Sequence, residues 1–93
     1  MSKTPITLLV VDDQTIVRKG IRALLEQVDD IQVIGEAADG EEAVTQAKLL
    51  NPDVILMDLM MPKMDGITAI REIQAGKVPK RIIALTKIGR AHA

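Results

Sequence analysis

The sequence predicts an α/β fold, a doubly wound parallel sheet, on three observations. Short apolar runs alternate with longer segments of 3.6-residue periodicity, and the order reads βαβαβαβ. The four apolar runs begin near residues 6, 33, 54 and 82, so each β–α unit takes roughly 25 residues, near the ~30 of a βαβ motif. Strands joined by helical crossovers lie parallel, with helices on both faces of one sheet.

Each element has its own signal. Ile6–Val11 is a near-continuous apolar run of the kind buried on both sheet faces. Gln14–Val28 carries Ile16, Val17, Ile21, Leu24, Leu25 and Val28 at helical spacing. Val33–Ala37 is a second strand interrupted by Gly35. Asp39–Leu50 is a helix with Ala43, Val44, Ala47 and Leu50 inward; Asp39 caps it, Glu42 completes a capping box, and Asn51-Pro52 stops it. Val54–Met57 is the third and most apolar strand. Asp65 or Gly66 opens a third helix with Ile67, Ile70 and Ile73 inward, closed by Gly76. Ile82–Leu85 is the fourth strand, ending at Thr86. An apolar strand with so little chain after it would stand at a sheet edge that natural folds usually cover, so the sequence reads as a fold cut short.

Composition excludes several classes. Lys+Arg 12 against Asp+Glu 13 leaves a net charge of −1, with no basic excess for nucleic acid. The apolar fraction of 47% supports a packed core, yet Phe, Tyr and Trp are absent, so no platform exists for stacking bases. Without cysteine there are no disulfides, thiol chemistry or iron–sulfur clusters, and the one histidine, His92, cannot make a multi-histidine metal site. The longest apolar runs in the strand-like segments are four residues, too short to cross a bilayer, and no signal-peptide stretch opens the chain. A cytoplasmic chain without a membrane partner is the expectation.

Three carboxylates stand at predicted strand ends: Asp12 and Asp13 after the first strand and Asp58 after the third. Parallel strands share one C-terminal edge. With the strand order 2-1-3-4, the first and third strands are neighbours and the winding reverses between them, which opens a crevice there. Acids converging in that crevice repel one another, and a proton or a cation must relieve them. Oxygen ligands without His or Cys favour a hard ion, Mg2+ before Ca2+. Such an ion suits phosphoryl transfer, in which a carboxylate can itself be the nucleophile and form an acyl phosphate. Thr86 ends the fourth strand on the same edge, where its hydroxyl could donate to a phosphoryl oxygen. Taken singly these residues have ordinary readings: Asp12-Asp13 as a helix start, Asp58 as a turn residue, Thr86 as a strand former, and Met57, Met60, Met61 and Met64 as core filler. Their conjunction on one edge carries the functional reading.

The strings "LLVVDDQTIVRKGI", "ADGEEAV", "PDVILMDLMMPKMDGI" and "RIIALT" together resemble the receiver domain of bacterial two-component response regulators, closest to the NarL/LuxR type. The resemblance spans about residues 6–86. It implies the flavodoxin-like receiver fold, here lacking its last α-β-α portion. It implies that Asp58 is the phosphoacceptor, Asp13 the direct Mg2+ ligand, Asp12 an acid that holds the ion mainly through water, and Met60 the residue whose backbone carbonyl completes the metal shell. Thr86 matches the switch hydroxyl, and Pro62 and Gly66 the loop that shapes the site. The implied partner is a sensor histidine kinase whose phosphohistidine supplies the phosphoryl group. DNA would be reached only through a missing C-terminal helix-turn-helix domain.

Departures from the family pattern are informative. The family's fifth-strand lysine and aromatic have no counterpart, Lys87 lacks the position of that lysine, and Gln14 stands where many relatives carry His. The usual dimer face, on the fourth helix, fifth strand and fifth helix, is largely missing. The tail "KIGRAHA", residues 87–93, fits neither the family nor the helical pattern and resembles read-through into a sequencing adapter, leaving residues 1–86 as a partial receiver. Two other functions compete. An aspartyl-nucleophile phosphohydrolase would need Asp-x-Asp after the first strand, but residue 14 is Gln. A fragment lacking the fifth unit could instead be non-phosphorylatable or poorly folded, acting at most as a binding module.

Overall fold

The computed structural model describes residues 4–58, 66–76 and 81–85. The predicted alternation is present as β1 (Ile6–Val11), α1 (Thr15–Leu25), β2 (Ile31–Ala37), α2 (Gly40–Leu50), β3 (Val54–Asp58), α3 (Gly66–Gln74) and β4 (Arg81–Leu85). The strands form one parallel sheet in the order β2-β1-β3-β4. Among the described residues no helix is long and apolar enough to cross a membrane.

The run Leu8–Val11 explains why β1 is central. Successive strand side chains point to opposite faces, and all four of these residues are buried. Leu9 and Val11 join Ile55 and Met57 of β3 beneath Ala43 and Ala47 of α2 and Ala69 and Ile73 of α3. On the other face Leu8, Val10 and Val33 meet Ile21 and Leu25 of α1. The alanines matter as much as the large residues: Ala43 and Ala47 of α2 and Ala69 of α3 are fully buried in this cluster.

Several element boundaries and faces correct the sequence expectation. β2 starts at Ile31 rather than Val33, and its pairing with β1 slips between Leu8 and Leu9, from Leu8 opposite Val33 to Leu9 opposite Gly35. Gly35 lies beneath the tip of Leu50. A Cβ there would stand 2.5 Å from Leu50 Cδ1 and 3.3 Å from Leu9 Cδ1, so a larger residue would push aside the Leu50 side chain, which is 36% exposed.

Helix α1 is shorter than the periodic stripe, ending at Leu25, with Val28 held in a following turn by its N–H to the Leu25 carbonyl (3.0 Å). Ile16 is 85% exposed and Leu24 69%, against the expectation that they face inward. Of the apolar residues of α1, the line Val17–Ile21–Leu25, spaced by four, is half-buried; an eleven-residue helix on a narrow sheet covers one ridge of side chains. In α3, Ile67 is exposed and Ala69 takes the inward place. Two residues of helix rotate the side-chain direction by about 200°, so Ile67 cannot share a face with Ala69 and Ile73.

Helix α2 begins as its sequence requires. Asp39 Oδ1 accepts from the Glu42 N–H at 2.8 Å, while the Glu42 carboxylate accepts from the Ala38 N–H, one residue before the reach-back of a standard capping box. Asn51 closes the helix in the left-handed region (φ 50°), its N–H bonded to the Ala47 carbonyl at 3.0 Å. Asp39→Ala is expected to cost about 1 kcal/mol, read as a lower urea midpoint with an unchanged slope. A midpoint equal to that of the unaltered chain would contradict the cap.

Candidate functional site

The C-terminal edge of the sheet carries the acids. Val11 pairs with Met57, so one further step in register brings Asp12, just beyond β1, alongside Asp58, the last residue of β3. Both lie on the alternation that places Leu8 and Val10 on one side of β1 and Leu56 on the same side of β3. Asp12 is 1% exposed and Asp58 0%; Asp13 is half-buried. One carboxylate oxygen from each of Asp12, Asp13 and Asp58 lies within 4.8 Å of the others. The three predicted acids therefore do converge, in the crevice between β1 and β3 where the winding reverses.

The loop that carries Asp12 is tied from several sides. Its N–H donates to the Ala37 carbonyl of β2 (3.0 Å), and its Oδ1 accepts from the Gln14 N–H (2.8 Å). Its carbonyl accepts from Arg18 Nη1 at 2.8 Å. The helix-start reading of the acidic pair is met only in this limited sense. Gln14 caps α1 without a side-chain hydrogen bond, and no acid lies in the first helical turn.

What the cluster can hold follows from its donors. All are carboxylate oxygens, the hard ligands that suit Mg2+ or Ca2+ and discriminate against softer ions. Octahedral Mg2+ has oxygens at about 2.1 Å, hence trans pairs about 4.2 Å apart, so a spread of up to 4.8 Å suits a set that grips the ion partly by direct contact. Crowding three carboxylates into a buried crevice is costly, and a divalent cation among them relieves that cost. The residues fit the ion. Of the other sequence-predicted participants, Met60, Pro62 and Thr86, with Lys87 and the tail, lie outside the described residues. Gly66 opens α3.

Sequence reasoning missed an ion network beside the acids. Glu36 of β2 receives Arg18 Nε at 3.1 Å, Arg22 Nη1 at 2.8 Å and Lys19 Nζ at 3.3 Å. The signal lies only in the two segments taken together: one carboxylate, Glu36, in a mostly apolar strand, and three cations, Arg18, Lys19 and Arg22, on the preceding helix. The hydrogen bond from Arg22 is the main cause holding the Glu36 carboxyl below its usual range, against the opposing effect of burial, with Arg18 and Lys19 adding to it. The same hydrogen bond raises the Arg22 guanidinium. Because the folded value of Glu36 lies below the unfolded one, its stabilisation is complete above the ordinary glutamate value of about 4.3. It is lost as pH falls through the folded value. Glu36→Gln should therefore flatten the acid limb of a plot of stability against pH; an unchanged limb would assign that slope to other carboxylates.

Comparison with known proteins agrees with this geometry. The chain matches the response regulator receiver domain family over residues 8–92. It is 52% identical over 81 residues to the transcriptional regulatory protein LiaR of Bacillus subtilis (strain 168), covering 87% of this chain and 38% of LiaR. It is 58% identical over 65 residues to a protein-glutamate methylesterase/protein-glutamine glutaminase of Alkalilimnicola ehrlichii, covering 70% of this chain and 17% of that protein. Among solved structures, the signal receiver domain of the putative response regulator NarL from Mycobacterium tuberculosis superposes with a TM-score of 0.85 at 31% identity, covering 90% of this chain and 68% of that one. The chain thus spans well under half the length of these two sequence relatives. A parallel sheet of this order, three acids gathered at its switch point and a family match over most of the length lead to one assignment: the chain belongs to the response regulator receiver domain family.

Proposed function

We propose that Asp58 accepts a phosphoryl group from the phosphohistidine of a sensor histidine kinase, with Mg2+ held beside it. The observation that carries this reading is the placement of Asp58, fully buried at the end of β3, within 4.8 Å of the oxygens of Asp12 and Asp13. In the transfer, a carboxylate oxygen of Asp58 forms the new O–P bond as the N–P bond to imidazole breaks, and the leaving imidazole nitrogen takes up a proton. Asp13 would hold the ion directly, Asp12 mainly through water, and Asp58 and the Met60 backbone carbonyl would complete its protein ligands. Bound Mg2+ supplies charge neutralisation for the phosphoryl oxygens. Asp12 and Asp13 keep that ion beside the nucleophile, and the burial of Asp58 limits the access of water to the acyl phosphate. Thr86 is assigned the switch hydroxyl.

Such a domain signals in the cytoplasm and is not an enzyme beyond slow self-dephosphorylation. Its output is the input to a transcriptional regulator, with DNA contact made by a C-terminal helix-turn-helix domain of the whole protein. The 52% identity to LiaR over 87% of this chain supports that output; methylesterases match up to 100% of the chain at 48% identity, which makes an esterase output the second reading. The test is incubation with Mg2+ and a small-molecule phosphodonor followed by intact mass. One added phosphoryl group, absent when the metal is chelated beforehand, is the expected result. Folded protein that stays unmodified, or is modified equally without Mg2+, would overturn the proposal.

A further inference from the structure

We propose that Arg18 is a positioning residue for the metal-binding acids, a role that rests on the Mg2+ reading above. The guanidinium makes three directed bonds. Nε reaches Glu36 Oε1 at 3.1 Å, Nη2 reaches Thr15 Oγ1 at 3.3 Å, and Nη1 reaches the Asp12 carbonyl oxygen at 2.8 Å. Its side chain is only 13% exposed, as is that of Glu36.

The Asp12 carbonyl belongs to the peptide unit that joins Asp12 to Asp13, and a peptide unit is planar. Holding its oxygen fixes the plane, and the plane sets the direction in which Asp13 leaves the backbone. Asp12 is meanwhile fixed by its N–H on Ala37 and by the Gln14 N–H on its carboxylate. Arg18 thus links β2, through Glu36, to the turn that aims the two acids. Lys19 and Arg22 bind the same Glu36, yet neither has a hydrogen bond to the acid turn among those described. The network therefore contains its own control.

Lysine cannot replace this arrangement. An ammonium is a compact point charge, whereas the planar guanidinium fork reaches a carboxylate and a carbonyl in fixed, divergent directions. Residues that orient metal ligands without touching the metal typically change affinity by about 10–100-fold when removed.

The experiment titrates Mg2+ into the full chain by calorimetry, since the absence of Trp, Tyr and Phe leaves no intrinsic fluorescence to follow. Amide exchange at Gln14, whose N–H is bonded to Asp12 Oδ1, is measured on the metal-free protein in parallel. Arg18→Met should raise the Mg2+ dissociation constant about tenfold, the lower end of that range, and speed exchange at Gln14. Arg18→Lys keeps a cation beside Glu36 and so guards against simple loss of fold; it should weaken Mg2+ nearly as much. Arg22→Met should leave both readings near those of the unaltered chain. Mg2+ affinity unchanged in Arg18→Met, restored in Arg18→Lys, or equally weakened in Arg22→Met would overturn the positioning role. A wild-type chain that takes up no Mg2+ would instead overturn the metal reading, and the role proposed for Arg18 with it.

Discussion

Asp58→Asn is expected to abolish phosphoryl uptake from a small-molecule donor while leaving the fold intact. The amide matches the carboxylate in shape, so the packing at a fully buried position is kept. It has no anionic oxygen to attack phosphorus, and it removes one of the three charges that would bind the ion. Asp58→Glu should not restore uptake: its extra methylene displaces the carboxylate at a fully buried position, and a displacement of about 1 Å from productive geometry costs on the order of a hundredfold. Intact mass under the same Mg2+ and donor conditions decides the matter. Uptake persisting in Asp58→Asn would place the acceptor elsewhere.

The second large effect is on stability. Ile55 of β3 is 0% exposed and belongs to the core cluster with Leu9, Val11, Ala43, Ala47 and Ala69. Three of those neighbours are alanines on α2 and α3, which have no long side chains to swing into a void. The cavity left by Ile55→Ala should therefore persist, at a cost of about 4 kcal/mol within the usual 2–5 range. That is a large part of the roughly 5–15 kcal/mol that holds a small domain folded. Urea denaturation should show a strongly lowered midpoint. Ile16→Ala, at a residue 85% exposed, should stay within about 0.5 kcal/mol of the unaltered chain. Equal losses at the two positions would contradict the assignment of the core.

The legible parts of the molecule are those governed by local pattern. Strands buried on both faces appear as unbroken apolar runs, and Leu8–Val11 and Val54–Met57 are such runs. Because parallel strands share one C-terminal edge, the acids at their ends can be placed together from the sequence. Asp39 and Asn51 announce the ends of α2 through their own chemistry. What stayed hidden depends on non-local fit. The apolar stripe of α1 is wider than the ridge the sheet can cover, so Ile16 and Leu24 stand in solvent. The phase of α3 is obscured at Ile67, because small Ala69 leaves a weaker apolar signal than the isoleucine two residues before it. The bonds of Arg18 to Glu36 and to the Asp12 carbonyl join residues up to eighteen apart in sequence, and nothing in either segment alone reveals the other.

The central claim is that the acid crevice makes Asp58 a phosphoacceptor. An acyl phosphate differs from a phosphate ester in that borohydride reduces its carbonyl carbon, converting a phosphorylated aspartate to homoserine. Treating the Mg2+- and donor-exposed chain in this way and sequencing its peptides by mass spectrometry should find homoserine at position 58 alone. Homoserine at another aspartate, or a phosphoryl group that survives reduction on a hydroxyl, would contradict the account.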